Sequence, residues 1–85
     1  MNPIPVRVMV LDTWDEVAFE VPPSSLVSDL KAAALRRAGV TASPAGYQVK
    51  FRGGLVPEGE TTVGDAGLVP NAALIVLSNR RRAVR

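Results

Sequence analysis

Asp12, Asp15 and Glu16 form the densest acidic cluster in this 85-residue chain. Carboxylates so close together are the raw material of a hard-cation site, but such ions take roughly six to eight oxygen ligands and nothing nearby in sequence adds the rest. No metal is expected there. Histidine and cysteine are both absent. The chain therefore lacks the commonest general base and the thiolate, and no Ser-His or Cys-His nucleophile pair can form. The residue types point away from an enzyme and from any cofactor. The other dense charge cluster is basic: Arg80, Arg81, Arg82 and Arg85 lie within the last six residues. Such a run could grip phosphate, an anionic surface or an acidic protein patch, although a solvated tail is the more ordinary use. No aromatic residue interleaves with these arginines, so the stacking platform of single-strand binding is missing.

The charge is unevenly spread. Net charge is +2, but outside the tail six basic side chains stand against eight acidic ones. A nucleic-acid-binding domain usually carries its basic patch on the folded body. Nucleic acid therefore ranks below protein as the expected partner. At 47% hydrophobic and 21% charged residues, the composition is that of one globular domain with a modest core. The longest apolar run, Ala72 to Leu77, is far too short to span a bilayer. The opening Met-Asn-Pro-Ile-Pro-Val-Arg does not read as a secretory signal. A cytoplasmic monomer is expected.

The elements that must position these groups follow from periodicity. From Ile4 to Leu11, Val6, Val8 and Val10 alternate with Arg7, Met9 and Leu11, and from Glu16 to Val21, Val17, Phe19 and Val21 alternate with polar neighbours. Period two predicts two strands joined through Asp12–Asp15 as an antiparallel hairpin. Pro22-Pro23 ends the second strand, and Ser24 and Ser25 are candidate caps for a helix over Leu26 to Ala38. There Val27, Leu30 and Ala34 recur at helical spacing, Asp29 and Arg36-Arg37 suit the dipole, and Gly39 is placed to close the helix. Tyr47, Val49 and Phe51 mark a third strand, Gly53-Gly54 a tight turn, Leu55-Val56 a short return strand, and Ala73 to Ser78 the last strand. The predicted core is Val6, Val8, Val10, Val17, Phe19, Val21, Val27, Leu30, Ala34, Val49, Phe51, Val56, Leu68, Leu74 and Val76. The predicted fold class is α+β, one helix on a mixed sheet of four or five strands.

Over residues 4 to 78 this order resembles ubiquitin and its relatives, the β-grasp family. The matching segments are Val17 to Pro23, Val27-Ser28-Asp29-Leu30-Lys31, Gly39, Tyr47 to Gly54, Val63 to Leu68, and Leu74 to Leu77. The resemblance implies a ubiquitin-like domain over residues 1–79, followed by a basic tail over 80–85. Conjugated members and the related sulfur carriers end in Gly-Gly, whereas Arg82-Ala83-Val84-Arg85 stands last here and Gly53-Gly54 falls inside the fold. Neither activity is implied. Ala66 occupies the place of a tyrosine that ties down an adjoining loop in ubiquitin, so a looser stretch from Pro57 to Gly64 is expected. Eight arginines against two lysines suit a GC-rich bacterial genome, and non-conjugated bacterial proteins of the YukD/EsaB type are similar in kind.

Many partners of ubiquitin grasp an apolar patch on its sheet. The corresponding surface here comprises Met9, Trp14, Ile75 and Leu77 with Lys50 and Arg52 beside them, an amphipathic protein-binding face. The tail arginines Arg80, Arg81, Arg82 and Arg85 are the alternative, an anion- or nucleic-acid-binding element.

Overall fold

A computed structural model describes residues 3–79. The tail arginines lie outside the described residues. Five strands form one sheet: β1 (Ile4–Val10), β2 (Asp15–Val21), β3 (Tyr47–Phe51), β4 (Gly54–Leu55) and β5 (Ala72–Ser78), in the order β2-β1-β5-β3-β4. β1 and β5 run parallel at the centre, and the other pairings are antiparallel. A single α-helix, α1 (Val27–Arg37), covers one face, and Pro44–Gly46 makes a short 3₁₀ turn before β3. The α+β architecture read from the periodicity, one helix on a mixed sheet, is the one observed, and it is the β-grasp arrangement that the resemblance implied.

Alternation decides which face is inside. Val6, Val8 and Val10 of β1, Val49 of β3, and Leu74 and Val76 of β5 are buried against Val27, Leu30, Ala34 and Leu35 of α1. Phe19, Val21 and Phe51, predicted as core, are only partly buried and pack against its margin. Phe19 and Val21 lie on the edge strand β2, so no strand covers their far flank. Leu35, Tyr47, Val63 and Ala72 join the core beyond the predicted set.

The helix ends differ in how far the sequence foretold them. Gly39 adopts φ +82°, its N–H donates to Arg36 O at 3.0 Å, and the Val40 N–H donates to Leu35 O at 2.9 Å. This is the double-bonded Schellman closure that a C′ glycine permits. At the other end, neither Ser24 nor Ser25 caps α1; Leu26 is the N-cap and no side chain serves it. The loop after Pro57 does that work with backbone: Val27 N–H donates to Thr61 O (3.0 Å), Val63 N–H to Ser25 O (2.8 Å) and Gly64 N–H to Pro23 O (2.9 Å). These bonds also correct the expected looseness of Pro57 to Gly64, since they fasten the segment to the helix start without a tyrosine at Ala66.

Among the described residues Lys31 is the one buried charged residue, 5% exposed. Its Nζ donates to Tyr47 O at 2.8 Å and pairs with Glu58 Oε1 at 2.7 Å. The Tyr47 hydroxyl in turn donates to an Asp12 carboxylate oxygen. One chain of polar contacts thus joins α1, β3, the 57–61 loop and the first hairpin turn.

Leu30→Ala and Leu35→Ala should each cost about 2–5 kcal/mol, read as a lower urea midpoint at unchanged slope. Glu58→Ala should cost about 1–3 kcal/mol by leaving the Lys31 ammonium short of a partner. Adding Lys31→Met to it should recover part of that loss, and a double variant less stable than Glu58→Ala would refute the pairing.

Candidate interaction surface

With the valines of β1 inside, Arg7, Met9 and Leu11 must face the opposite side of the sheet. Strand register then aligns side chains across it. Met9 lies opposite Glu16 of β2 and Ile75 of β5, Ile75 lies opposite Lys50 of β3, and Lys50 opposite Leu55 of β4. This row, Glu16–Met9–Ile75–Lys50–Leu55, crosses all five strands and spans roughly 20 Å at the usual strand spacing. One step toward the first hairpin, Leu77 pairs with Gln48, and Leu11 donates its N–H to Val76 O at 3.1 Å. One step the other way, Arg7 lies between Ala18 and Ala73.

The row is apolar at its centre and charged toward β2 and β3. Ile75 is 40% exposed and Leu55 62% exposed, whereas Met9, Leu77 and Lys50 are half-buried among their neighbours. Arg7 and Glu16 approach to 4.0 Å with both side chains about half exposed, a contact too solvated to hold the face rigid. Basic groups collect toward β3 (Lys50, Arg52) and acidic ones toward β2 (Glu16, Glu20).

Met9, Lys50, Ile75 and Leu77 therefore come together as expected from the sequence. Trp14 and Arg52 do not join them in one cluster. Trp14 lies in the turn beyond β1, on the Leu77 side of the row, and Arg52 lies in the turn beyond β3, on the Arg7 side. Trp14 is 74% exposed and covers no edge of the sheet. Arg52 places its guanidinium 5.2 Å from the Phe51 ring centroid, a cation–π distance. Both residues hold φ +57°, the left-handed region that bulky side chains rarely occupy.

Arg52 also corrects the expected Gly53-Gly54 turn. Phe51 pairs with Gly54, so the two turn residues are Arg52 and Gly53, at φ +57° and +80°, and Gly54 is already in β4. That is the two-residue hairpin in which both central residues need positive φ. Leu55, absent from the predicted site, stands opposite Lys50 on the outer face, as alternation with the buried Val56 requires under either turn. An X-Gly pair flanked by alternating residues is the signal that could have found the turn itself.

Asp12, Asp15 and Glu16 do not form a metal cradle: among the described residues no group of three carboxylates is arranged to hold an ion, and Asp12 is engaged by the Tyr47 hydroxyl.

A five-stranded sheet with parallel central strands, closed over one helix, is a known arrangement. The chain has the ubiquitin fold. It superposes on the ubiquitin of Caldiarchaeum subterraneum with TM-score 0.77 at 10% identity, covering 95% of this chain and 99% of that one. A de novo designed protein based on ubiquitin gives TM-score 0.78 at 13% identity, covering 98% and 96%. No protein-family model and no curated protein matches the sequence. Likeness at such identity fixes the fold alone, and function has to be argued from the surface. No helix among the described residues is long and apolar enough to cross a membrane.

Trp14→Asn and Arg52→Asn should each stabilise the protein by about 0.5–1 kcal/mol, because asparagine tolerates positive φ and neither side chain is buried. In a domain of this size that is a rise in Tm of roughly 2–8 °C, measurable by thermal unfolding. A fall in Tm at either position would mean that the large side chain makes a stabilising contact.

Proposed function

We propose that the protein is a non-catalytic interaction module that presents the outer face of its sheet to a protein partner. The observation that carries this is the open row Met9–Ile75–Lys50–Leu55 with Leu77 beside it: apolar side chains from three strands, with Lys50 of a fourth among them, on the face that the helix leaves uncovered. Apolar groups gathered in one patch and rimmed by charge mark interaction sites more often than scattered ones do. Trp14 extends the surface toward the first turn, where a solvent-exposed indole can anchor a partner at low entropic cost. Lys50 stands where the resemblance would put an aliphatic residue at the third-strand position of the patch, which makes the patch amphipathic and favours a partner different from ubiquitin's. The absence of histidine and cysteine supports a role without chemistry, and the arginine-rich composition supports the bacterial, YukD/EsaB-like setting.

The test is capture from the native host on immobilised protein, with Ile75→Asp and Leu77→Asp beside the wild type. Both positions face outward, so the variants should keep their far-UV circular dichroism and a cooperative thermal transition. A partner retained by wild type should fall by at least about tenfold on each variant. Retention that survives both substitutions but disappears on truncation after Asn79, or with added salt, would transfer the activity to the arginine tail.

A further inference from the structure

The chain leaves the sheet beside the Trp14 turn. β1 and β5 run parallel with Val10 opposite Val76, so the turn after β1 and the end of β5 lie at one end of the sheet. Asn79 follows β5, and its N–H donates to Gly46 O at 2.8 Å. Residues 80–85, Arg-Arg-Arg-Ala-Val-Arg, come directly after it. β2 stands two places from β5, roughly 10 Å away at the usual strand spacing. Six residues of extended chain reach roughly 20 Å, so this segment is long enough to meet the Trp14 turn.

That turn has the chemistry a guanidinium seeks. The exposed Trp14 indole stands among the exposed carboxylates of Asp12, Asp15 and Glu16. Asp12 is engaged by the Tyr47 hydroxyl and Glu16 is held loosely by Arg7, whereas Asp15 has no ion-pair partner among the described residues. An aromatic face with carboxylates beside it attracts arginine by cation–π contact and ion pairing together, and tryptophan is the best ring for it. The fold makes this contact twice already, Arg37 lying 5.3 Å from the Phe19 ring centroid and Arg52 5.2 Å from that of Phe51. Among the described residues no guanidinium stands over Trp14. The same carboxylates would repel an anionic membrane or nucleic acid, so the turn selects a cation.

We propose that the arginine-rich segment 80–85 folds back onto the Trp14 end of the outer sheet face, with one guanidinium stacked on the indole and others paired with Asp15 and Glu16, and covers that end of the face until a partner displaces it. Each such contact is weak when solvated, but the short tether places the arginines near the turn at an effective concentration on the order of millimolar. The docking itself does not depend on the function proposed for the face. The covering role does, since it shields Trp14 and the neighbouring Leu77 from that partner.

The test uses the full chain, ¹⁵N-labelled. No cysteine is present, so Ala83→Cys accepts a single nitroxide label. Paramagnetic broadening should centre on the Trp14 indole and the amides of 11–16 and leave most of α1 sharp. It should fall about threefold in Asp15→Asn/Glu16→Gln, and likewise in roughly 0.5 M salt, with the dispersed spectrum retained. With the label on one population and ¹⁵N on another, the broadening should vanish. Even broadening over the whole surface, broadening centred elsewhere, or broadening that persists between molecules overturns the proposal, the last giving the turn to the tail of a second copy. In capture from the native host, the chain ended after Asn79 should retain about threefold more of the partner lost by Leu77→Asp, and equal or lower retention overturns the covering role. Capture of nothing by either chain counts against the face as an interaction surface, while the broadening still decides where 80–85 docks.

Discussion

The parallel ladder between β1 and β5 is the constraint on which everything else hangs. It joins the first strand to the last, with Val6 opposite Ala72 and Val10 opposite Val76, so nearly the whole chain is the connection between them. Closing so long a loop is entropically costly, and parallel pairing alone cannot offset it. The offset comes from the apolar face that the ladder assembles: Val6, Val8, Val10, Leu74 and Val76 are all buried, and α1 is the only element long enough to cover them. Because side chains alternate, fixing those five residues inside also fixes Met9 and Ile75 outside as direct neighbours. The outer row is thus a geometric consequence of how the core closes.

Lys31 shows a second constraint at work. An ammonium in a hydrophobic core is tolerated only if its donors are used, and here they reach Tyr47 O and the Glu58 carboxylate. The arrangement holds the 57–61 loop against the helix, and the backbone of that loop then supplies the partners that side chains do not supply at the start of α1. A serine cap at that end is unnecessary once Thr61 and Ser25 carbonyls accept the Val27 and Val63 amides. The loop and the helix start form one unit in which each satisfies the other's backbone.

How much of this was legible in the sequence depends on how local the cause is. Strands with one wet face announce themselves by period two, and the C′ glycine of α1 by its type, since both reflect conformational preferences of single residues. The identity of the core residues on β1 and β5 followed directly. What stayed hidden was set by tertiary contact. Hydropathy reads Lys31 as a surface residue, and only its placement over Tyr47 and Glu58 puts it inside. The Ser24 and Ser25 caps are sound local chemistry overridden by a distant loop. The Arg52-Gly53 turn was hidden by the glycine pair, which masks the fact that Arg52, not Gly54, takes the second left-handed position, whereas Leu55 was within reach, since a core Val56 puts its neighbour outside. For the site, four of six residues gathered as expected, while Trp14 and Arg52 separated because turns at opposite ends of antiparallel β3 and β1 cannot meet.

The left-handed backbone at Trp14 and Arg52 fits the interaction role proposed for the outer face. Glycine or asparagine would fit either turn with less strain, and local stability alone gives no reason to keep the largest side chain of the chain 74% exposed on an unfavourable φ. Backbone preference and an exposed bulky side chain pull in opposite directions at both sites. Strain of that kind clusters where a surface is used, and the two turns flank the Met9–Ile75–Lys50 row at its two ends along the strands.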